Sequence, residues 1–188
     1  MIFRLKEDND RFKTPGIGPQ PLRDALGDDD LVVKVFKQPG TNESLREIWQ
    51  PLHFTMDSVC DNNPQTPDIA PWRSHLVLSS KAFALLESEL APFGEFLPGY
   101  ADGEPVTLFN CMTFGEEDKS QTTIEYIDGD PCGLETLAFV EADIKDKPVF
   151  KSRMQNGMTL YCTSSFRKLI EEHGLQGLAF DEDLLSPF

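Results

Sequence analysis

The sequence predicts an α+β fold: a largely antiparallel sheet, two main helices at about 80–91 and 164–173, and a short N-terminal helix. Three observations carry this. Turn signals of the hairpin type (Asp102-Gly103, Asp128-Gly129 and Asn156-Gly157) fall between runs rich in β-branched and aromatic residues. Two stretches repeat apolar residues at helical spacing and are bounded by capping residues. Strands and helices do not alternate regularly, which argues against a doubly wound parallel sheet. The length of 188 residues suits one well-filled core, so a single domain over 1–188 is expected. Fourteen phenylalanines make that core bulky, and fourteen prolines and thirteen glycines keep the elements short.

Taken in order, Ile2–Leu5 reads as a strand. Glu7–Asp30 is polar and turn-rich, a surface loop with one helical turn at Leu22–Leu26. Leu31–Phe36 (LVVKVF) reads as a strand on β-branched content. Thr41 or Asn42 is placed to cap the short helix Ser44–Trp49, where Leu45, Ile48 and Trp49 share a face and Pro51 stops the run. Leu52–Met56 reads as a strand. Cys60–Pro71 carries three prolines and two asparagines and reads as a loop bordering an N-terminal subregion of about 60 residues.

The clearest pattern is His75–Phe96. His75–Leu78 is an apolar strand, and Ser79 or Ser80 caps a helix with Phe83, Leu86 and Leu90 in one stripe. Pro92 and Gly94 end that helix, and Glu95–Tyr100 resumes as strand. Pro105–Met112 returns after the Asp102-Gly103 turn, and Gly115–Gln121 is an acidic loop. In Thr122–Ile127 the alternation turns Ile124 and Tyr126 inward and Glu125 outward. Leu134–Val140 is a further strand, and Val149–Lys151 pairs with Met158–Cys162 across Asn156-Gly157. The second helix is capped at Thr163–Ser165, aligns Phe166, Leu169, Ile170 and His173, and closes at Gly174. Leu178–Phe180 is a last extended segment.

Charge is the most unusual property. Against 17 Lys and Arg stand 32 Asp and Glu, a net −15. The window Glu95–Asp143 holds twelve acids and one base, Lys119, and so carries a net −11 of that total. Such a chain is repelled by nucleic-acid phosphates and by anionic membranes, and attracts a basic partner. The plainer effect of the same charge is to keep the protein soluble and monomeric. No apolar run approaches a membrane span, and the opening MIFRLKEDND has no basic leader or apolar h-region, so a cytoplasmic protein is expected. The four cysteines are scattered, and Cys111 and Cys162 sit in apolar runs as core thiols.

No catalytic motif, cofactor motif or metal-ligand spacing is present. Asp128-x-Asp130-x-x-Gly133 departs from a calcium loop, with Cys132 at position five and Phe139 at position twelve. His53, His75 and His173 are far apart in sequence. Ser79-Ser80 lacks the glycines of a nucleophile elbow, and Gly16-Ile17-Gly18 is followed by proline with no helix opening behind a strand. Among twelve acids a carboxylate pair at glycosidase spacing can arise by chance, so a hydrolase-type acid/base enzyme is one alternative. A nucleic-acid-mimicking regulator of a basic protein is another. Phe114, just before the acidic loop, is the aromatic expected to be an exposed anchor.

Several blocks also carry a resemblance: Pro67-Asp68-Ile69, Leu76-Val77-Leu78-Ser79-x-Lys81-Ala82, Gly94-Glu95-Phe96-Leu97-Pro98 and Leu108-Phe109-Asn110. Val149-Phe150-Lys151, Leu160-Tyr161-Cys162 leading into Phe166, and Leu175-x-Gly177-Leu178-x-Phe180 follow in order. Over about 67–180 the chain resembles a family of bacterial immunity proteins of polymorphic toxin systems. This is immunity family eleven, the myxobacterial type, formerly a domain of unknown function. Residues 1–60 are less well matched. The resemblance implies non-covalent neutralisation of a cognate toxin, and it supplies no catalytic or cofactor-binding residues. With the charge, it points to a basic toxin met by the acidic segment, with Phe114, Glu116, Glu117, Asp118, Asp128 and Asp130 as the expected partner contacts.

Overall fold

The computed structural model describes residues 1–60 and 64–185. In chain order the elements are β1 (Ile2–Glu7), β2 (Thr14–Pro15), α1 (Pro19–Leu26), α2 (Asp29–Thr41), β3 (Leu52–Phe54), β4 (Met56–Asp57), β5 (Ile69–Trp72) and β6 (His75–Ser79). Then follow α3 (Ser80–Leu90), a 3-10 turn (Ala91–Phe93), β7 (Gly94–Ala101), β8 (Glu104–Cys111), β9 (Thr123–Ile127), β10 (Asp130–Thr136) and α4 (Glu141–Ile144). The chain closes with β11 (Val149–Lys151), β12 (Leu160–Thr163), α5 (Ser164–Glu172) and β13 (Leu178–Asp181). The α+β class holds, with antiparallel pairing dominant. Among the described residues no helix is long and apolar enough to cross a membrane.

Two sheets organise the molecule. The larger has the order β3-β7-β8-β6-β5, antiparallel except for the parallel β3–β7 edge. Both its faces are covered. Leu76 and Leu78 of β6, Ile69 of β5 and Phe109 of β8 join a cluster with Ala82, Leu86 and Leu90 of α3 and Phe166 and Ile170 of α5. The alternate residues Val77, Ala70, Leu108 and Leu97 face a second cluster with Leu22 of α1 and Val32 and Val35 of α2. A strand buried on both sides reads as continuously apolar, which is why His75–Leu78 stands out in the sequence. The smaller sheet, order β11-β12-β1-β13, packs Phe3, Leu5, Val149 and Cys162 against the first cluster.

The N-terminal residues are woven into both sheets, not set beside them. β1 lies between β12 and β13, and β3 forms the edge beside β7. The expected border at Cys60–Pro71 is crossed by hydrogen bonds between Lys13 N–H and the Gln65 carbonyl (2.9 Å) and between Gln65 N–H and the Arg11 carbonyl (2.9 Å). Its C-terminal end is itself a strand, β5, while its residues 61–63 lie outside the described residues.

Three local expectations are corrected. Leu31–Phe36 is helical, inside α2. Asp28 caps it by accepting from Asp30 N–H (2.8 Å), Asp29 and Asp30 sit where the helix dipole favours acids, and Val32, Val35 and Pro39 form its buried stripe. Valine's β preference is outweighed by those caps and by burial at helical spacing. Asn42 closes α2 in the left-handed conformation (φ 58°), so it ends one helix and does not begin another. Residues 45–49 form only one turn, with Trp49 N–H donating to the Leu45 carbonyl (2.9 Å).

Candidate functional site

Much of the acidic window rises from the body as one ribbon. At its root Val140 N–H donates to the Glu116 carbonyl (2.8 Å) and Asp118 N–H to the Ala138 carbonyl (2.9 Å), while Glu117 and Phe139 bridge as an antiparallel pair. Thr136 Oγ1 donates to the Gln121 carbonyl (2.7 Å), and the β9–β10 ladder continues outward. Asp128 and Gly129 form the tip with φ of 53° and 92°. This is the doubly left-handed turn that Asp-Gly favours between twisted strands. Phe139 anchors the root, its ring 5.0 Å from that of Phe150 and 5.2 Å from that of Tyr161, in a third apolar cluster with Leu137 and Ile144.

Beyond the root, the ribbon is in solvent. Every residue of β9 is exposed, and β10 is exposed except for half-buried Leu134. The alternation in Thr122–Ile127 is real in pairing, but the described residues leave its inward face largely uncovered. Ile124 keeps 38% of its surface, Tyr126 59% and Ile127 59%.

The six expected contact residues divide. Glu116, Asp128 and Asp130 are exposed. Glu117 is half-buried, and one carboxylate oxygen accepts from Ser152 Oγ (2.7 Å) and Met154 N–H (3.1 Å), tying the ribbon root to the loop after β11. Asp118 accepts from Ser120 Oγ (2.6 Å) and Gln121 Nε2 (2.6 Å), bonds that hold its carboxyl below the ordinary value and fix the turn. Phe114 is half-buried, with Lys151 Nζ 4.7 Å and Arg153 Cζ 4.0 Å from its ring centroid, so it is not an exposed anchor.

The start of the acidic window is also corrected. Glu95 is 3% exposed. It accepts from Ser44 Oγ (2.6 Å), Leu45 N–H (2.8 Å) and Asn110 Nδ2 (2.9 Å), clamping the segment after α2 to the larger sheet. Lys151, fully buried, does the same from the other side, donating to Asn42 Oδ1 (2.8 Å) and the Pro39 carbonyl (3.1 Å). Burial, and secondarily Arg153, lowers its ammonium to about 8. His75 lies in the same interior, and burial, then Lys151 and Arg73, push its imidazole down to about 3. Cys111 and Cys162 are core thiols as expected; burial raises Cys111 to about 11 and carries Cys162 further up. This buried polar layer leaves no sequence signal beyond single charged or polar residues inside apolar strands, such as Lys151 after Val149-Phe150.

A cleft of about 390 Å³ lies on the larger sheet, lined by Ala70, Val77, Val106, Asp68, Asp102 and Glu104 among others. Two of its carboxylates are committed to the fold. Asp68 accepts from Lys81 Nζ (3.2 Å) and Gln176 N–H (3.1 Å), and Asp102 accepts from Met56 N–H (3.2 Å). Among the described residues no group of three or more His, Cys, Asp and Glu is placed to hold a metal ion. Ser79 accepts from Ala82 N–H (3.2 Å), the helix-cap role expected of it. Set beside known proteins, the chain matches no family model and no curated protein.

Proposed function

We propose that this protein is an immunity-type inhibitor that binds a basic bacterial toxin non-covalently, in the cytoplasm, and that its acidic ribbon contributes to the contact. The observation that carries this reading is the disposition of Glu116, Glu125, Asp128, Asp130 and Glu135. All five are exposed on one ribbon, in a stretch whose only base is Lys119. Carboxylates so placed steer a cationic partner and suppress association with anions. The ordered motif blocks over 67–180 that resemble the immunity family support the same reading. They fall largely in the two sheets and α3, where they serve packing, and leave the binding surface to other segments.

The test is direct binding to the C-terminal domain of the protein encoded by the adjacent gene, the toxin on this reading. The expected result is a stoichiometric complex that abolishes toxin activity and weakens as salt rises from 50 to 500 mM. Triple reversal Glu116→Lys, Asp128→Lys, Asp130→Lys should slow association at least about tenfold at low salt. No complex at low salt sinks the reading. An unchanged rate and unchanged salt slope in the triple variant would remove the ribbon from the interface. Release of that complex by competing double-stranded DNA would favour the nucleic-acid-mimicking alternative.

A further inference from the structure

We infer that one face of the β9–β10 hairpin is a docking face, completed when a basic protein with an apolar slot covers Ile124 and Tyr126. This rests on the inhibitor reading above and specifies its contact. The register places Leu134 opposite Ile124 and Pro131 opposite Tyr126. Directly opposed residues in an antiparallel pair present side chains on the same face. Ile124, Leu134, Tyr126 and Pro131 therefore form one apolar stripe. Leu134, at its inner end, packs against the third cluster with Phe139 and Tyr161, so the stripe runs from the core out into solvent. The opposite face carries Glu125 and the Ile127–Asp130 pair.

An isolated two-stranded hairpin is marginal in water and gains nothing from holding a tyrosine ring and an isoleucine side chain exposed on one face. Aromatic side chains in that position are the residues that dominate binding energy when a partner desolvates them. The charge selects the occupant. The hairpin 123–136 carries Glu125, Asp128, Asp130 and Glu135 and contains no lysine or arginine, so the ribbon that bears the stripe is anionic throughout. A second hairpin laid against the first sets four carboxylates against four. Pro131, with no N–H to donate, and the register breaks around Cys132 and Glu135 further hinder strand-edge pairing. A cationic protein surface with an apolar depression satisfies both the stripe and the charge of the ribbon that carries it.

The experiment uses the full chain and the same toxin domain, read by surface-bound kinetics. Ile124→Ala with Tyr126→Ala should raise Kd at least about thirtyfold, almost entirely through faster dissociation. Ile127→Ala, on the other face, should change Kd less than about threefold. Neutralising Glu125, Asp128, Asp130 and Glu135 to their amides should slow association and flatten its salt dependence, leaving dissociation nearly unchanged. Both alanine variants should unfold within a few degrees of the parent, since the positions are exposed. A photo-crosslinking benzoylphenylalanine at position 126 should label the toxin domain. If the parent binds and the double variant binds within threefold, the docking face is overturned while the inhibitor reading stands. If the parent does not bind, the inhibitor reading fails and takes this inference with it. If the parent sediments as a dimer that Tyr126→Ala dissociates, the covering partner is a second copy and the assignment to a basic protein is wrong.

Discussion

The strand–helix–strand from His75 to Ala101 and the ribbon from Glu116 to Val140 are both legible as elements in the sequence, yet they do opposite things with the same residue types. In the first, Glu95 is buried and its two oxygens take three donors. In the second, Glu125, Asp128 and Asp130 stand in solvent. In the first, apolar residues on both faces of β6 are covered by helices. In the second, the face carrying Ile124 and Tyr126 is left open. A count of acids per window treats Glu95 and Asp128 alike; only the positions of neighbouring donors separate a clamp from a contact surface.

The largest expected effect tests that separation. Glu95→Ala strands Leu45 N–H, Asn110 Nδ2 and Ser44 Oγ around a cavity, and should destabilise the fold by about 3–5 kcal/mol in urea unfolding. Asp128→Ala should fall within about 0.5–1 kcal/mol of the parent, as surface changes do. Equal effects at the two sites would erase the contrast between scaffold and ribbon.

A glycine pair tests the same contrast at smaller scale. A Cβ on Gly94 would lie 2.2 Å from the Asn110 carbonyl oxygen and 2.6 Å from Phe109 Cε2. The obstacle is partly backbone of the neighbouring β8, so Gly94→Ala should cost about 1–3 kcal/mol. Gly129, at the ribbon tip, has nothing within 4 Å of such an atom, and its penalty comes only from φ of +92°. Gly129→Ala should cost about 1 kcal/mol in the local stability of the ribbon, read by amide hydrogen exchange. It should also leave the unfolding of the body unchanged, because the tip contributes no packing to it. A larger loss at Gly129 than at Gly94 would mean that the ribbon is integral to the core.

What the sequence made legible follows from physics that is local. Asp102-Gly103 and Asp128-Gly129 set their turns through backbone preferences of two residues, and Ser79 caps α3 through its own hydroxyl. Of the helical stripe Phe83, Leu86 and Leu90, the two leucines are buried and Phe83 packs half-buried against the same cluster. The errors arose where a distant segment decided. Val32 and Val35 became helical because Asp28 to Asp30 start a helix there and because the larger sheet offers a face at helical spacing. Asn42 cannot be read as a cap for α2 while Leu31–Phe36 within it reads as a strand. Glu95 looked like the start of an acidic surface because its partners, Ser44 and Leu45, lie about fifty positions upstream. Of the expected contact residues, Glu116, Asp128 and Asp130 are exposed as a surface role requires, while Glu117 and Asp118 are engaged by Ser152, Ser120 and Gln121. Nothing in the order of residues distinguishes those two groups.

The finest test of the buried layer is the pH response of His75. Its folded value of about 3 lies below the ordinary 6.5, from burial first and from Lys151 and Arg73 next. Between those values the unfolded chain binds the proton and the folded one does not. Stability therefore falls as pH drops from 6.5 toward 3, by at most about 1.4 kcal/mol per pH unit from this group. Carboxylates protonating in the lower part of that range add their own slope, so the informative quantity is a difference between proteins. His75→Phe keeps a ring beside Trp72, whose centroid is 5.0 Å away, and removes the titration. Its stability measured from pH 7 to 4.5 should decline less steeply than the parent's, while an Asp128→Ala control should parallel the parent. Parallel curves for His75→Phe and the parent would show that the imidazole is charged in the fold. The interior around Lys151 would then have to contain a compensating anion, for which Glu95 is the only buried carboxylate among the described residues.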